Sequence, residues 1–337
     1  MLHKSHLAVM AVAALVLATT ACSTTGGGGS TTSATVKAKD IKQVTIGFAQ
    51  RQLDAPYYAA MQKQAQQIAK DKGFKLLVQN ANGDPVTQIN QINNMVSQGA
   101  DLIVINAVSP VTEKPQISEI AKKTPVMFID TGITGVGFTA VTSDNVAIGT
   151  AAGKLLAERL GSGTTAKLAI LNGGPTDELV GPNRQKGFLA GLKDGGVTAE
   201  VVASASGVYA RDKAVPATED MLSAHPEINA IVGLNDAMAL GALSVLRQQG
   251  KTKILVAAAA DGQKEALQEM QSGGCTGQYV STGLNSPSLA TTKVFDIAIQ
   301  ITTGVKKTTD FPANSYTTAA GIGCKNVDQF YDPSSTF

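Results

Sequence analysis

The sequence predicts an α/β protein made of two successive halves, each a parallel sheet covered by helices on both faces. Short apolar runs that end abruptly at polar residues alternate with longer stretches of helical spacing, which is the pattern of βαβ units. The alternation starts again after Ser143-Asp144-Asn145 and continues through a second half of similar length. At roughly 100–200 residues per domain, a chain of 337 residues has room for two cores. No sequence repeat relates the halves. Neither carries a glycine-rich dinucleotide fingerprint or a P-loop, so nucleotide binding has no direct support.

In the first half, 44–49 reads as a strand and 55–72 as a helix with Pro56 in its first turn. A strand over 75–79 precedes a helix over 85–98 that sets Ile89, Ile92 and Val96 on one face. Residues 101–106 form a strand, 117–122 a helical stretch, and 125–130 a buried strand that stops at Asp130. A further short strand leads to Ser143-Asp144-Asn145, where Ser or Asp caps a helix over 145–160. The second half reads as strands over 167–171, 199–203, 230–234, 254–258 and 278–281. Helices over 184–193, 211–224, 236–249, 264–271 and 286–303 alternate with them. In such open sheets ligands bind outside the carboxyl ends of the strands. Asp130 sits at such an end, and 143–145 marks a crossing between two lobes that share one cleft.

Charge and composition exclude several functions. Lys and Arg total 28 against 26 Asp and Glu, a net charge of +2 with no footprint for nucleic acid. Two of the three His, His3 and His6, lie in the leader, so no His-based metal site is expected, nor any cofactor. The leader places Lys4 before an apolar run over 7–17, too short to span a membrane, and ends at Thr20-Ala21-Cys22. This is similar to a bacterial lipoprotein signal in which Cys22 is lipidated, although Thr19 stands where that signal usually has Leu. Ordinary cleavage and secretion is the alternative. The Gly/Ser/Thr-rich stretch that follows reads as a tether. Cys275 and Cys324 remain, read outside the cytoplasm as a disulfide, or alternatively as two buried thiols.

The strand ends of the two halves offer Arg51, Tyr57, Tyr58 and Asp130, then Asp177, Arg184, Tyr209, Asn235, Asp261 and Asn285. Carboxylates and amides pair with vicinal hydroxyls, Arg donates in a fixed fork, and flat rings cover apolar C–H faces, so the mixture suits a polyhydroxylated ligand. Asp144, Asn145 and Asp236 read as caps and crossing residues. No nucleophile elbow, zinc-protease motif or Cys–His pair marks an enzyme.

Several ordered motifs carry a resemblance. They are Thr45-Ile46-Gly47 with Pro56-Tyr57-Tyr58, Gln91-Ile92 with Met95 and Gly99, Pro125-Val126 to Asp130, and Ser143-Asp144-Asn145-Val146 with Gly149. Arg184 with Gly187-Phe188, and Asn235-Asp236 with Met238-Ala239-Leu240-Gly241-Ala242-Leu243, complete the set. Together the chain resembles the sugar-binding proteins of ABC importers, the ribose- and xylose-binding type of type I periplasmic binding protein. The resemblance implies two Rossmann-like three-layer α/β/α lobes joined by a three-stranded hinge, with sugar trapped between them, no catalysis, and a closed form that docks on a membrane permease. It implies Tyr57, Tyr58 and Tyr209 as stacking rings and Asp130 as the first-lobe hydroxyl acceptor. Asn235 and Asp261 become second-lobe contacts, Asn285 the hinge-side amide, and Arg51, Asp177 and Arg184 further contacts. Related binders often have Asp-Arg where this chain has Asp130-Thr131, which weakens the case for ribose and leaves room for another pentose, a polyol or a sugar derivative.

The expected layout is a signal peptide over 1–22, a tether over 23–42, a first lobe of 43–143 plus 286–312, and a second lobe of 144–285 plus 313–337. The expected function is an extracytoplasmic, membrane-anchored monomer that feeds an ABC permease. Presentation of ligand to a sensor kinase or chemoreceptor is the alternative. A cytoplasmic repressor core would need a helix-turn-helix where this chain has a leader.

Overall fold

The computed structural model describes Met1 and residues 36–175, 177, 179–335 and 337. The leader, Cys22 and the tether up to residue 35 lie outside the described residues. The chain runs β1 (Thr45–Gln50), α1 (Pro56–Lys72), β2 (Lys75–Asn80), α2 (Pro85–Ser97), β3 (Leu102–Ile105), α3 (Pro110–Ala121), β4 (Val126–Ile129) and β5 (Ala140–Thr142). It continues through α4 (Asn145–Leu160), β6 (Thr165–Asn172), α5 (Val180–Asp194), β7 (Thr198–Ser206), α6 (Arg211–Ala224), β8 (Ala230–Gly233), α7 (Asp236–Gln248), β9 (Leu255–Ala258), α8 (Lys264–Gly273) and β10 (Tyr279–Gly283). α9 (Pro287–Thr302), β11 (Asn314–Tyr316) and β12 (Gly321–Gly323) complete it.

Local chemistry accounts for most boundaries. Pro opens α1, α2, α3 and α9, where its missing N–H leaves no helical bond unmade. Asp84 caps α2 by accepting from the Thr87 N–H at 2.7 Å, and Asp144 caps α4 by accepting from the Ala147 N–H at 2.9 Å. Every residue of β3 and β4 is buried, as strands covered on both faces require. The third helix starts earlier than its expected span over 117–122, and Pro115 sits inside it. That proline is exposed, so water can reach the carbonyl it leaves unpaired.

Two six-stranded sheets result, ordered β2-β1-β3-β4-β5-β11 and β7-β6-β8-β9-β10-β12. All pairings are parallel except β10 with β12. The shared order reverses direction at β1/β3 and at β6/β8, and an open sheet offers a ligand crevice at such a reversal. Both lobes therefore present a crevice at corresponding strand ends, although no sequence repeat announces it. In the first lobe Phe48 meets Phe295 edge-on at 5.8 Å, and Phe74 stacks on Phe295 at 6.0 Å. In the second, Leu168, Ile170, Phe188, Ile231 and Leu243 fill the core. Fully burying each such side chain contributes about 1.5–3 kcal/mol.

Two expected boundaries shift. The folded lobe starts before residue 43, because the Lys39 N–H donates to Thr302 O at 3.0 Å, Lys39 Nζ pairs with Asp101 at 2.5 Å, and Ile41–Gln43 forms a 3-10 turn. The return to the second sheet comes after β11, which pairs with β5 of the first, so 313–316 belongs to the first lobe. The chain thus crosses near 143–145, 284–286 and 317–320. The crossings bond to one another: Thr317 N–H to Thr142 O at 2.9 Å, Leu284 N–H to Ala320 O at 2.8 Å, and the Ser143 and Thr317 hydroxyls at 3.0 Å. Just past β12, Cys324 is disulfide-bonded to Cys275, with Cα atoms 5.1 Å apart and 49 residues between them in sequence. Closing a loop of that length is worth about 4 kcal/mol on the chain-entropy account.

α4 and α5 touch backbone to backbone. A Cβ on Gly149 or Gly153 would run into the main chain of Arg184 or Phe188, and one on Gly187 or Gly191 into that of Val146 or Thr150. Gly153→Ala or Gly187→Ala is therefore expected to cost roughly 1–3 kcal/mol by overpacking. The thermal midpoint should fall by about 2–4 °C per kcal/mol. Calorimetric scanning checks this, and an unchanged midpoint would mean the helices can part freely.

Candidate functional site

At the first crossing Ser143 donates to Asn285 Oδ1 at 2.6 Å, and Tyr57, from the first turn of α1, donates to the same oxygen at 3.0 Å. Asn285 Nδ2 donates to Asp261 Oδ1 at 2.8 Å, and that oxygen also lies 3.1 Å from Arg184 Nη2. A continuous polar chain thus joins α1 of the first lobe, two crossings and α5 of the second. Its members are buried: Asn285 is 2% exposed, Arg184 4% and Asp261 6%.

Arg184 is fixed on three sides. Its Nε donates to Asn145 Oδ1 at 3.0 Å and its Nη1 to Leu234 O at 3.0 Å, besides the Asp261 pair. Its guanidinium also lies 5.9 Å from the centre of the Tyr209 ring. Burial alone would lower its pKa, but the charge of Asp261, then Tyr209 and Asp130, outweighs this and holds it charged. Tyr209 in turn donates to Asp177, which also accepts from the Gly181 N–H. Asp177 lines, with Asn172, Gln185, Lys186 and Ser204, a cavity of about 630 Å³ beside the cleft. Asn235 caps α7 through the Met238 N–H at 3.0 Å and reaches Tyr209 O at 3.3 Å.

On the first lobe, Tyr57 and Tyr58 pack edge-to-face with centroids 5.5 Å apart, and Arg51 lies 5.5 Å from the Tyr58 ring. Arg51 Nη1 also reaches Thr131 Oγ1 at 3.4 Å. Its buried Nε has no hydrogen-bond partner among the described residues. Asp130 and Tyr209 both hold left-handed backbone, at φ 61° and 62°. Non-glycine residues in that region cost of order 1 kcal/mol or more and collect at functional sites.

The electrostatics place these groups face to face. Burial raises the Asp130 carboxyl above its ordinary range, against the pull of Arg51 and Arg184. Burial also raises Asp261, opposed by Arg184 and reinforced by Asp130. Carboxylates from opposite lobes therefore feel one another. Tyr57 and Tyr58 are raised first by burial and then by Asp130, so both keep their phenolic protons.

The structure thus gathers Arg51, Tyr57, Tyr58, Asp130, Arg184, Tyr209, Asn235, Asp261 and Asn285, with Asp177 joined to them through the Tyr209 hydroxyl. Sequence reasoning left out Ser143, Thr131 and Asn145, which complete the contacts of Asn285, Arg51 and Arg184. It also read Asp236 as a cap or crossing residue. Asp236 Oδ2 accepts from the N–H groups of Asp261, Gly262 and Gln263 at 3.0, 2.6 and 2.7 Å, and Oδ1 accepts from Tyr279 at 2.6 Å, so it fixes the Asp261 loop. Behind the first-lobe rings a ladder of buried amides runs under the strand ends. Gln50 donates to Tyr58 O, Asn106 to Gln50, and Gln88 to Asn106 O, at 3.2, 2.9 and 3.0 Å. Gln50 and Asn106 end or follow strands, a position that could have flagged them.

The family described as periplasmic binding protein domain matches residues 46–306. The ribose import binding protein of Bacillus subtilis is 33% identical over 234 residues, 67% of this chain and 72% of that protein. The xylitol-binding protein of Mycolicibacterium smegmatis is 30% identical over 223 residues, 64% of this chain and 61% of that protein. Among solved structures, an ABC transporter solute-binding protein from Mycobacterium smegmatis with bound glycerol superimposes with a TM-score of 0.76 at 28% identity, covering 87% of this chain and 98% of that one. The chain belongs to the periplasmic binding protein family, among the sugar- and polyol-binding components of ABC transporters. The family acts outside the cytoplasm and binds its ligands for transport without transforming them. Among the described residues no helix is long and apolar enough to cross a membrane.

One buried acid beneath the ladder carries a pH prediction. Glu113 accepts from the Val108 and Ser109 N–H groups at 3.2 Å each, yet its Oε2 has no partner among the described residues. Burial raises its pKa to about 7, with the two backbone donors pulling the other way. A carboxyl raised on folding binds its proton more tightly in the native state, so stability is greatest below the unfolded value and falls as pH rises through about 7. Glu113→Gln should flatten this part of the profile, so that the variant gains on the wild type between pH 5 and 8. Thermal midpoints across that range test it, and parallel profiles would refute it.

Proposed function

We propose that the protein captures a neutral monosaccharide or sugar alcohol between its lobes and delivers it to an ABC permease, and that Arg51, Tyr57, Tyr58, Asp130, Asp177, Arg184, Tyr209, Asn235, Asp261 and Asn285 hold the guest. The observation that carries this is the polar chain from Tyr57 through Asn285 and Asp261 to Arg184, which takes its members from both lobes and the hinge. The facing charges balance, two guanidinium groups against Asp130 and Asp261, which suits an uncharged, hydroxyl-rich guest. Three of the five N–H donors of Arg184 are held within the protein, leaving two for hydroxyls. Arg51 adds its Nε, which has no hydrogen-bond partner among the described residues. The rings of Tyr57, Tyr58 and Tyr209 supply flat faces for C–H groups.

Ligand selects the closed state by contacts it makes to both lobes there. Thr131 offers a hydroxyl where many ribose binders offer a guanidinium, and Arg51 reaches that hydroxyl from the end of β1. The ribose and xylitol named for the two relatives bracket the guest, a cyclic pentose on one side and an open-chain polyol on the other. Cys22 is the lipid attachment point, a tether follows it, and the receptor works as a monomer beside its permease.

Calorimetric titration with pentoses, hexoses and sugar alcohols tests the reading. Asp130→Asn should leave unliganded stability level or raised, since it removes a carboxyl that burial disfavours and Asn tolerates the left-handed backbone. The same change should weaken the best ligand by roughly 1–3 kcal/mol through unpaired hydroxyls. Asn235→Ala should weaken both, the fold by about 1 kcal/mol through the lost α7 cap. Unaltered affinity in both variants would remove the site assignment.

A further inference from the structure

The segment after β12 has no place in the binding reading so far. It is rooted in the second lobe, where Val327 is buried in the core and Phe330 and Tyr331 pack against it. Gln271 of α8 donates to Asp328 Oδ1 at 2.7 Å. Lys264, the first residue of α8, then donates from Nζ to the carbonyls of Pro333 and Ser335, each at 2.9 Å. Lys264 directly follows the Asp261 to Gln263 loop that Asp236 holds, so this anchor sits at the back of the Asp261 end of the site.

From that anchor the chain reaches the other lobe. The Phe337 ring packs against the first-lobe core and meets the Tyr57 ring edge-on, with centroids 5.5 Å apart at 81°. A local turn aims it there: Ser335 Oγ donates to Phe337 O at 2.5 Å and accepts from the Phe337 N–H at 3.2 Å. Tyr57 is the ring whose hydroxyl opens the polar chain to Asn285. The arm therefore connects the loop of Asp261 on one lobe with Tyr57 on the other. Unlike the three crossings, it meets the first lobe through a non-covalent contact that can separate when the lobes part.

We propose that Phe337 is a positioning residue of ligand binding: carried by an arm of the second lobe, it seats against Tyr57 of the first already without ligand and holds the lobes in the arrangement that binds, so that without it part of the binding free energy goes into closing them. This clasp rests on the reading of Tyr57 as a ligand-facing ring. An edge-to-face aromatic pair contributes about as much as a tenfold change in a binding constant. Separation of Phe337 from Tyr57 accordingly frees the ring and the lobes together, so the loss falls on ligand dissociation.

The chain contains no Trp, so Phe337→Trp supplies a single reporter. Without ligand, its emission should be blue-shifted and protected from acrylamide, and adding Tyr57→Ala should shift it to the red. Identical emission with and without Tyr57 overturns the seat, whatever the ligand. In calorimetry and stopped-flow with ribose and xylitol as probes, Phe337→Ala should bind about tenfold more weakly, mainly through faster release, with little change in thermal midpoint. Phe337→Leu should recover part of the loss. Unchanged affinity in Phe337→Ala for a probe that the wild type binds overturns the clasp. Failure of the wild type to bind either probe counts against the sugar reading, and the emission comparison then judges the seat alone.

Discussion

A single buried carboxamide fixes the geometry of this protein. Asn285 lies on the second crossing, accepts from Tyr57 and Ser143 through one oxygen, and donates to Asp261 through its nitrogen. A buried amide left unpaired would cost about 1–3 kcal/mol. Satisfying it requires the first turn of α1, the end of β5 and the loop after β9 to meet at one point. Those elements come from both lobes and a crossing. Chain connectivity alone would let the lobes sit at many angles, and this shared acceptor narrows them. The hinge and the candidate site are consequently not separable: a rotation that moves Tyr57 relative to Asp261 must stretch or exchange a bond to Asn285.

The charges around that junction are arranged with little slack. Asp130 and Asp261 approach from opposite lobes and each is pushed toward its protonated form by burial. Arg184 answers Asp261 directly, while Arg51 reaches toward Asp130 beside Thr131. A buried ion pair is weak evidence for stability, because desolvation offsets much of the attraction. Its value here is directional, since Arg184 is bound on three sides and cannot turn to follow a departing partner. Asp130 accepts from the Thr131 hydroxyl at 3.4 Å, and Asp261 accepts from Asn285 and Arg184 through one of its oxygens. A guest rich in hydroxyl groups can supply further donors to both, and only when the lobes are together.

Much of this could be read from residues. Continuous apolar runs such as Leu102–Ile105 and Val126–Ile129 announce buried parallel strands, and Pro56, Pro85 and Pro287 announce helix starts. The three-residue strands Asn314–Tyr316 and Gly321–Gly323 give no such signal, because an edge strand of that length needs no apolar face of its own. Missing the first of them displaced the last crossing. For the candidate site, residue type and strand-end position singled out side chains that the fold does bring to one place. Their supports were harder to see. Asn145 looks like a crossing residue until Arg184, thirty-nine positions later, is found donating to it. Asp236 looks like a helix-start acid until the amides of a different loop converge on it. Such roles depend on tertiary neighbours, which spacing along the chain does not encode.

The contact between α4 and α5 explains how a hinge and a candidate site residue can move together. α4 begins directly at the first crossing, with Asp144 as its cap. At four glycines the helix backbone rests directly on the facing main chain and leaves no soft layer there to absorb rotation. Arg184 lies on α5 at that contact, and the Asn145 side chain at the start of α4 holds its Nε. Any swing of the second lobe about the first crossing must therefore carry Arg184 with it as part of one body. Asp261, paired with Arg184, and Asn285, hydrogen-bonded to Asp261, follow the same motion. Tyr57 and Asp130 belong to the opposite body. Closure then changes one set of distances, those between the two groups, while the distances inside each group stay fixed. A fold with side chains packed between α4 and α5 would lose part of that rotation to repacking before it reached the guanidinium.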